Sequence, residues 1–304
     1  MDIVGKGAYV PAKAKPMLRK ISFSKIIPYM YVLPIVIFAI AFSYYPFART
    51  LLFSLSRVNS AGEIREFVGL RNFINVFQRE DFIISLRNTL TLAAMHVPLS
   101  TAICCGLAML ANKKRFLSGI YEVMFTAPMA ISMASAALIF KVILNPNIGI
   151  VNSLLGINFG WYQDRSYALL GILVLCLWIG IAFDFLLFLV AFRSVPEQLL
   201  EASTIDGAGS VKRFFKIQLP LIMPTMFFVV CTNIIQVMLT VTPILILTGG
   251  GPFRSTQTLV YSMYMFGYQG SNYSVSSVFS ITVFLLTFAF VLIAFRFDKK
   301  VHYQ

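Results

Sequence analysis

Long stretches with almost no charged side chains restrict the fold of this chain more than any other feature. A helix crosses the ~30 Å hydrocarbon layer of a membrane with about 20 apolar residues, and the longest uncharged stretches here contain at least 18 residues. They predict six membrane helices, at 26–48, 88–111, 120–141, 167–192, 220–247 and 276–295. The predicted fold class is therefore an all-α membrane protein with six transmembrane helices.

The composition excludes a water-soluble protein. Apolar residues make up 58% of the chain and charged residues only 12%, whereas a soluble domain is about 25% charged. Soluble enzymes, disordered tails and secreted disulfide scaffolds are thereby excluded, and the four cysteines all lie in apolar stretches. The net charge of +13 would suggest a nucleic-acid partner in a soluble protein, but here it indicates basic cytoplasmic loops. We expect no nucleic-acid partner.

The distribution of basic residues predicts the orientation in the membrane. An even number of spans puts both termini on one side, together with the loops 112–119 and 193–219. That side carries 16 of the 25 Lys and Arg residues, so the positive-inside rule makes it cytoplasmic. The chain then divides into a cytoplasmic tail at 1–25, a six-helix transmembrane domain at 26–296 and a cytoplasmic tail at 297–304.

The cytoplasmic loop 193–219 carries the most specific pattern in the sequence. It is long for a connection between two helices, and its residues predict two short helices, at about 196–206 and 211–219. Gly207 and Gly209 separate them, because glycine permits the positive φ that a tight turn requires. The interpretation that assigns no specific function to such a loop is a membrane-surface hairpin that only connects two spans.

The spacing of residues in this loop resembles the EAA loop of permease subunits in ABC importers. The family pattern is Glu-Ala-Ala, three residues, Gly, nine residues, Ile, one residue and Leu-Pro. This chain departs from it only by Ser203 at the second alanine; the matching residues are Glu201, Ala202, Ser203, Gly207, Ile217, Leu219 and Pro220. The resemblance identifies the chain as a permease subunit and implies the type I ABC importer permease fold.

Motifs outside the EAA loop resemble the carbohydrate branch of the same family. The chain contains Gly-Leu-Arg-Asn-Phe at 69–73, Leu-Arg-Asn-Thr at 86–89 and Thr-Gly-Gly-Gly-Pro at 248–252. These segments are similar to a G-L-x-N-[FY] motif, an x-N-T motif and a T-x-G-G-P loop in permeases for sugars and glycerol-3-phosphate. The resemblance covers most of the chain, from its first apolar stretch to its C-terminus.

The resemblance implies a machine of several chains in the inner membrane of a bacterial or archaeal cell. The other members are a second, homologous permease that forms a heterodimer with this chain, an ABC ATPase dimer and an extracellular or periplasmic binding protein that delivers a sugar. The sequence has no G-x-x-x-x-G-K-[ST] loop to bind ATP phosphates. We therefore expect that this chain has no cofactor and catalyses no reaction, and that the partner ATPase uses the ATP. The residues implied in the ATPase contact are Glu201, Ala202, Ser203, Asp206, Gly207, Ala208, Phe214, Ile217, Leu219 and Pro220.

Polar residues in the predicted fifth span are candidates for the substrate pathway. Asn233, Gln236 and Thr240 share one helix face at positions i, i+3 and i+7, and Trp178 is a candidate aromatic for stacking on a sugar ring. Hydrogen bonding between helices explains the same polar residues without a pathway. Asp184 is the acid well inside a span, and such residues are functional candidates; a structural pair, a water-lined cavity and a ligand contact all remain open for it.

The sequence also leaves alternatives for the function. No Arg lies inside a predicted span, and phosphate normally attracts Arg, Lys or a helix N-terminus, so a sugar or oligosaccharide is favoured over glycerol-3-phosphate or its diesters. A secondary transporter or channel would explain the hydropathy but not the EAA loop. A membrane-embedded enzyme would need a cluster of His, Asp or Cys in the spans, and Asp184 with His96 does not form one.

Overall fold

The computed structural model describes residues 23–112 and 118–301, with side chains at 28–112 and 118–296. Most of the predicted tail 1–25 and the basic segment 113–117 lie outside the described residues. The chain forms two compact units, Met1–Arg49 and Thr50–Gln304. Five of the described helices are long and apolar enough to cross a membrane, and there are six if one bent helix pair is counted as a single span.

The first span runs from Pro28 to Ser54, and none of the side chains in its apolar window is buried. It consists of α1 (Phe23–Ala39), a π turn at Ile40–Tyr44 and α2 (Tyr45–Ser54). The predicted span at 26–48 is therefore confirmed, although its helix continues further.

The larger unit is mainly helical. After a small antiparallel hairpin of β1 (Ser56–Val58) and β2 (Ile64–Phe67), it contains α3 (Arg71–Phe77), α4 (Glu80–Ala111), α5 (Ser118–Thr126), α6 (Met133–Ile143), α7 (Ile150–Leu155), α8 (Ala168–Arg193), α9 (Glu197–Ile205), α10 (Ser210–Arg213), α11 (Leu219–Met238), α12 (Leu259–Tyr264) and α13 (Tyr273–Val301). The predicted C-terminal tail begins inside α13, which continues to Val301.

The third span is not the continuous helix at 120–141 that the hydropathy predicts. Its two halves, Ser118–Ala130 and Met133–Ile143, are bent by 105°. Pro128 lies in a short 3₁₀ turn at the end of the first half, where its missing N–H interrupts the helical hydrogen bonds. The Ser132 side chain then caps α6 by accepting a hydrogen bond of 3.1 Å from the Ser135 amide, so a new helix begins in a new direction.

The fifth span is displaced from the predicted 220–247. Its helix runs from Ser210 to Met238, so the predicted loop helix at 211–219 and the membrane helix are one continuous element. A π turn precedes α11 and accommodates Pro220, which has no N–H to donate. The helix ends at Met238, where the Thr240 amide bonds to the Val237 carbonyl at 3.3 Å in a 3₁₀-type turn, and Pro243, which has no N–H, lies at the start of the next helical turn.

Three helices of the larger unit form its central contact. Small buried residues of α4, among them Cys104 and Ala108, allow a close approach of α8, which contributes the buried aromatics Phe185 and Phe188. Val229 of α11 belongs to the same buried cluster. This packing holds the three helices on which the candidate functional residues lie.

Candidate transport site and coupling loop

The EAA loop turns at a glycine-capped helix end. Gly207 has φ +73°, and its amide donates a hydrogen bond of 3.0 Å to the Thr204 carbonyl. The Ala208 amide donates one of 2.9 Å to the Ser203 carbonyl. These two bonds form a Schellman motif, which ends a helix at a left-handed residue. The predicted break at Gly207 is confirmed by this backbone geometry.

One side chain braces the two arms of the EAA loop. The Arg213 guanidinium donates hydrogen bonds to the Thr204 hydroxyl, at 2.5 Å, and to the Ser210 hydroxyl, at 3.3 Å. The Phe214 ring stacks on the ring of Phe192 near the end of α8, with centroids 6.4 Å apart. The loop is therefore attached to both α8 and α11, the two membrane helices that it joins.

The EAA loop presents an exposed surface of mixed character. Glu201 is exposed, and Ile205, one helical turn later, is 86% exposed. Val211 and Phe215 on the second arm are also largely exposed. Exposed apolar side chains on both arms of the loop are typical of a protein contact surface.

The residues that the resemblance assigns to the ATPase contact differ in exposure. Glu201, Ala202, Asp206, Gly207 and Pro220 are exposed, Ala208, Phe214, Ile217 and Leu219 are half-buried, and Ser203 is buried. The Ser203 hydroxyl donates to the Leu200 carbonyl at 2.7 Å. A small polar residue thus fits where the family pattern has alanine, because its hydroxyl is satisfied within its own helix.

A cavity of about 280 Å³ lies where α4, α8 and the end of α11 meet. Its polar lining includes Gln236, Thr240 and Thr242, together with His96 of α4. Its apolar lining includes Ile179 of α8. Residues 239–243, which follow the end of α11, form part of the cavity lining, and irregular backbone in a membrane protein is tolerated where it lines a cavity.

The predicted pathway residues separate into two groups in the structure. Gln236 and Thr240 line the cavity, whereas Asn233 is only 1% exposed and donates from Nδ2 to Asp184 Oδ2 at 2.7 Å. Trp178 is half-buried and packs against Phe140, with ring centroids 5.3 Å apart. Neither Asn233 nor Trp178 belongs to the cavity lining.

Asp184 lies at a buried contact of three helices. Its Oδ2 also accepts a hydrogen bond of 2.7 Å from the Ser100 hydroxyl of α4. Asp184 is 2% exposed and Ser100 is fully buried. Sequence reasoning missed Ser100, because a serine in an apolar helix has no pattern that distinguishes it from a residue bonded within its own helix.

The sequence motifs outside the EAA loop have structural roles. The Asn88 amide donates to the carbonyls of Arg254 and Gln257, at 3.1 and 2.9 Å. The Arg254 guanidinium lies 2.7 Å from the Asp81 carboxylate. These contacts hold the segment 248–257, which we call the Phe253 loop, and Phe253 on it is 82% exposed. Sequence reasoning did not single out Phe253 or Arg254.

The comparisons with known proteins agree with this architecture. Residues 102–303 match the family of binding-protein-dependent transport system inner membrane components, and the chain belongs to this family. It is a non-catalytic permease subunit of an ABC importer, a multi-pass inner-membrane protein that works with a separate ATPase and a binding protein.

Individual relatives span nearly the whole chain. The sn-glycerol-3-phosphate transport system permease protein UgpA of Yersinia enterocolitica is 34% identical and covers 91% of this chain and 96% of its own length. UgpA of Pectobacterium atrosepticum is 33% identical over 96% of this chain and 99% of its own length. A permease chain of a bacterial alginate ABC transporter, solved in complex with an alginate pentasaccharide-bound periplasmic protein, has a TM-score of 0.81 at 21% identity and covers 93% of this chain and 99% of its own. The last similarity confirms the type I importer fold.

Proposed function

We propose that the chain forms one half of a pathway that imports a sugar or oligosaccharide. The observation that carries the proposal is the chemistry of the cavity wall: amide and hydroxyl groups from Gln236, Thr240 and Thr242 beside apolar side chains, and no Lys or Arg among the lining residues of the described chain. Sugars have many hydroxyl groups and apolar ring faces, which such a wall matches without requiring a compensating charge.

Glycerol-3-phosphate or its diesters are the second candidate. The identity to UgpA favours them, but a phosphate group normally binds Arg, Lys or backbone amides. Uptake of radiolabelled sugars and of glycerol-3-phosphate into proteoliposomes that contain the complete complex and its binding protein distinguishes the two. Uptake of glycerol-3-phosphate without sugar uptake would replace the first candidate by the second.

The other half of the pathway belongs, in this proposal, to a second permease chain that forms a heterodimer with this one. The ATPase dimer uses the ATP, and this chain has no cofactor of its own. The alginate transporter structure contains a periplasmic binding protein, and the braced Phe253 loop supports a contact of the same kind here. An exposed aromatic on a rigid loop binds a partner with little loss of conformational entropy.

We expect the EAA loop in the cytoplasm and residues 49–87 outside the cell. Cysteine variants at Ser210 and Gly62, made in a chain whose four native cysteines are replaced, test this orientation. An impermeant maleimide should label the variant at Gly62 in intact cells and the variant at Ser210 only after permeabilisation. The reverse labelling pattern would overturn the orientation.

Gln236→Leu should impair uptake without loss of assembly. The substitution keeps the side-chain size but removes the amide from the cavity wall. One lost hydrogen bond to a sugar costs about 0.5–1.5 kcal/mol, which corresponds to about a twofold to twelvefold rise in KM. Uptake by purified complexes in proteoliposomes measures the effect, with basal ATP hydrolysis as the assembly control.

Thr232→Val on the same helix is the matched control, because within the described part of the chain its hydroxyl bonds only to the carbonyls of Phe228 and Val229. Unchanged uptake kinetics in Gln236→Leu would remove Gln236 from the pathway.

A further inference from the structure

The buried contact at Asp184 lies between the cavity and the EAA loop. On α4 the cavity residue His96 lies one turn from Ser100, and on α11 the cavity residue Gln236 lies one turn from Asn233. In each helix the cavity residue is farther from the EAA loop than the residue that bonds to Asp184. The same holds for Ile179 of α8, because Asp184 is nearer to the end of α8 from which the loop begins.

The contact joins the helices that the EAA loop connects. The loop follows α8 and continues directly into the helix that contains α11. The Asp184 carboxylate of α8 accepts hydrogen bonds from α11, through Asn233, and from α4, through Ser100. The two helices that the loop joins and the helix packed against both are thus linked through one oxygen atom.

α8 and α4 are in close contact beside Asp184. Gly180, one turn from Asp184, faces α4: a Cβ atom there would lie 3.7 Å from the Ser100 hydroxyl and 3.9 Å from His96 Nε2. The Asn233 Oδ1 atom is buried and has no hydrogen-bond partner among the described residues. No Lys or Arg of the described chain forms an ion pair with Asp184. An unpaired acid in a span is costly and is retained where it has a function.

We infer that Asp184, with Ser100 and Asn233, is a positioning site that transmits movement of the EAA loop to the wall of the transport cavity. The inference rests on the proposed import function. Coupling between distant sites needs packed elements that move together between discrete arrangements. A shift of α8 relative to α11 at the loop changes the distance between Asp184 and Asn233. Because the hydrogen bond resists this change, Asn233 moves with Asp184, and Gln236, one turn beyond Asn233 on the same helix, moves with it. Asp184 acts through Gln236 and His96 and does not itself contact the substrate.

Accessibility of the cavity wall tests the inference without knowledge of the substrate. The complex with its partner permease and ATPase is reconstituted in nanodiscs, with Gln236→Cys as the probe in a chain without the native cysteines. The rate of labelling by a charged maleimide is measured without nucleotide and with ATP and vanadate. We expect the two rates to differ by about 5- to 150-fold, the range of typical allosteric coupling.

Asp184→Leu should bring the ratio of the two rates close to one while ATP hydrolysis per complex persists. Asp184→Asn, which retains a hydrogen-bonding group at this position, should restore most of the ratio. Thr101→Val is the matched control, because among the described residues the Thr101 hydroxyl bonds only to the Val97 carbonyl in its own helix. A merely structural role would reduce the yield of complex and leave the ratio unchanged in the complexes that form.

An unchanged ratio in Asp184→Leu would overturn the inference. If that variant does not assemble, Ser100→Ala and Asn233→Leu replace it, because each removes one of the two hydrogen bonds to Asp184. A wild-type ratio of labelling rates in both of these variants would also overturn the inference. Failure of the proposed function has a different signature. In that case the complex with Gln236→Cys would show the nucleotide-dependent change in labelling, but the wild-type complex would import neither a sugar nor an oligosaccharide.

Discussion

Glu201→Ala should detach the ATPase from the permease while this chain remains inserted and paired with its partner permease. Glu201 is exposed on the outer face of α9 in the isolated chain, next to the exposed Ile205. If the ATPase covers this face, the carboxylate becomes a buried charge opposite a basic residue. Removing one member of a buried ion pair costs about 3–5 kcal/mol. This cost lowers the association constant of permease and ATPase by a factor of about 10² to 10³·⁵.

The measurement is the amount of ATPase retained on detergent-purified permease, together with uptake. Glu197→Ala is the matched control, since Glu197 is also exposed and lies one turn earlier on the same helix. A solvated acid contributes well under about 1 kcal/mol, so the control should keep its ATPase. Stoichiometric ATPase and full uptake in Glu201→Ala would show that Glu201 is not part of the contact. A compensating charge exchange on the ATPase surface should restore binding to a Glu201→Lys variant.

The parts of the fold that follow from local rules could be predicted from the sequence. Hydropathy identified the spans because the bilayer imposes a minimum apolar length, and the helix break at Gly207 followed from the conformational freedom of glycine. The structure confirms both, since the spans are present and Gly207 has φ +73°. Each of these rules depends only on residues that are adjacent in the chain.

The features that depend on long-range contacts could not be predicted. Hydropathy does not distinguish a straight helix from one that bends by 105° after Pro128, because both bury the same apolar residues. Helical periodicity grouped Asn233 with Gln236 on one face, but it does not reveal that a carboxylate on another helix accepts the Asn233 amide. Asp184 and Ser100 are 84 residues apart in the chain, so nothing local indicates their contact.

Gly207→Val should disrupt coupling through the shape of the backbone and without any change of charge. At φ +73° a side chain with a Cβ atom is strained by about 1–2 kcal/mol, and a branched side chain is strained more. No atom lies within 4 Å of the Cβ position, so a steric clash does not contribute. The strain is relieved if the Schellman motif opens, which moves Glu201 and Ile205 relative to the second arm of the loop.

Gly209→Val separates this effect from the effect of added bulk in the same loop. Gly209 has an extended backbone, φ −65° and ψ 162°, and its Cβ position is also open, so valine fits there without strain. We expect Gly209→Val to retain ATPase and uptake, and Gly207→Val to lose about a factor of ten or more in both, the equivalent of about 1.4 kcal/mol. Gly207→Asn should recover part of the loss, because asparagine tolerates the left-handed conformation. Equal uptake in the two valine variants would mean that the αL turn at Gly207 is not required for coupling.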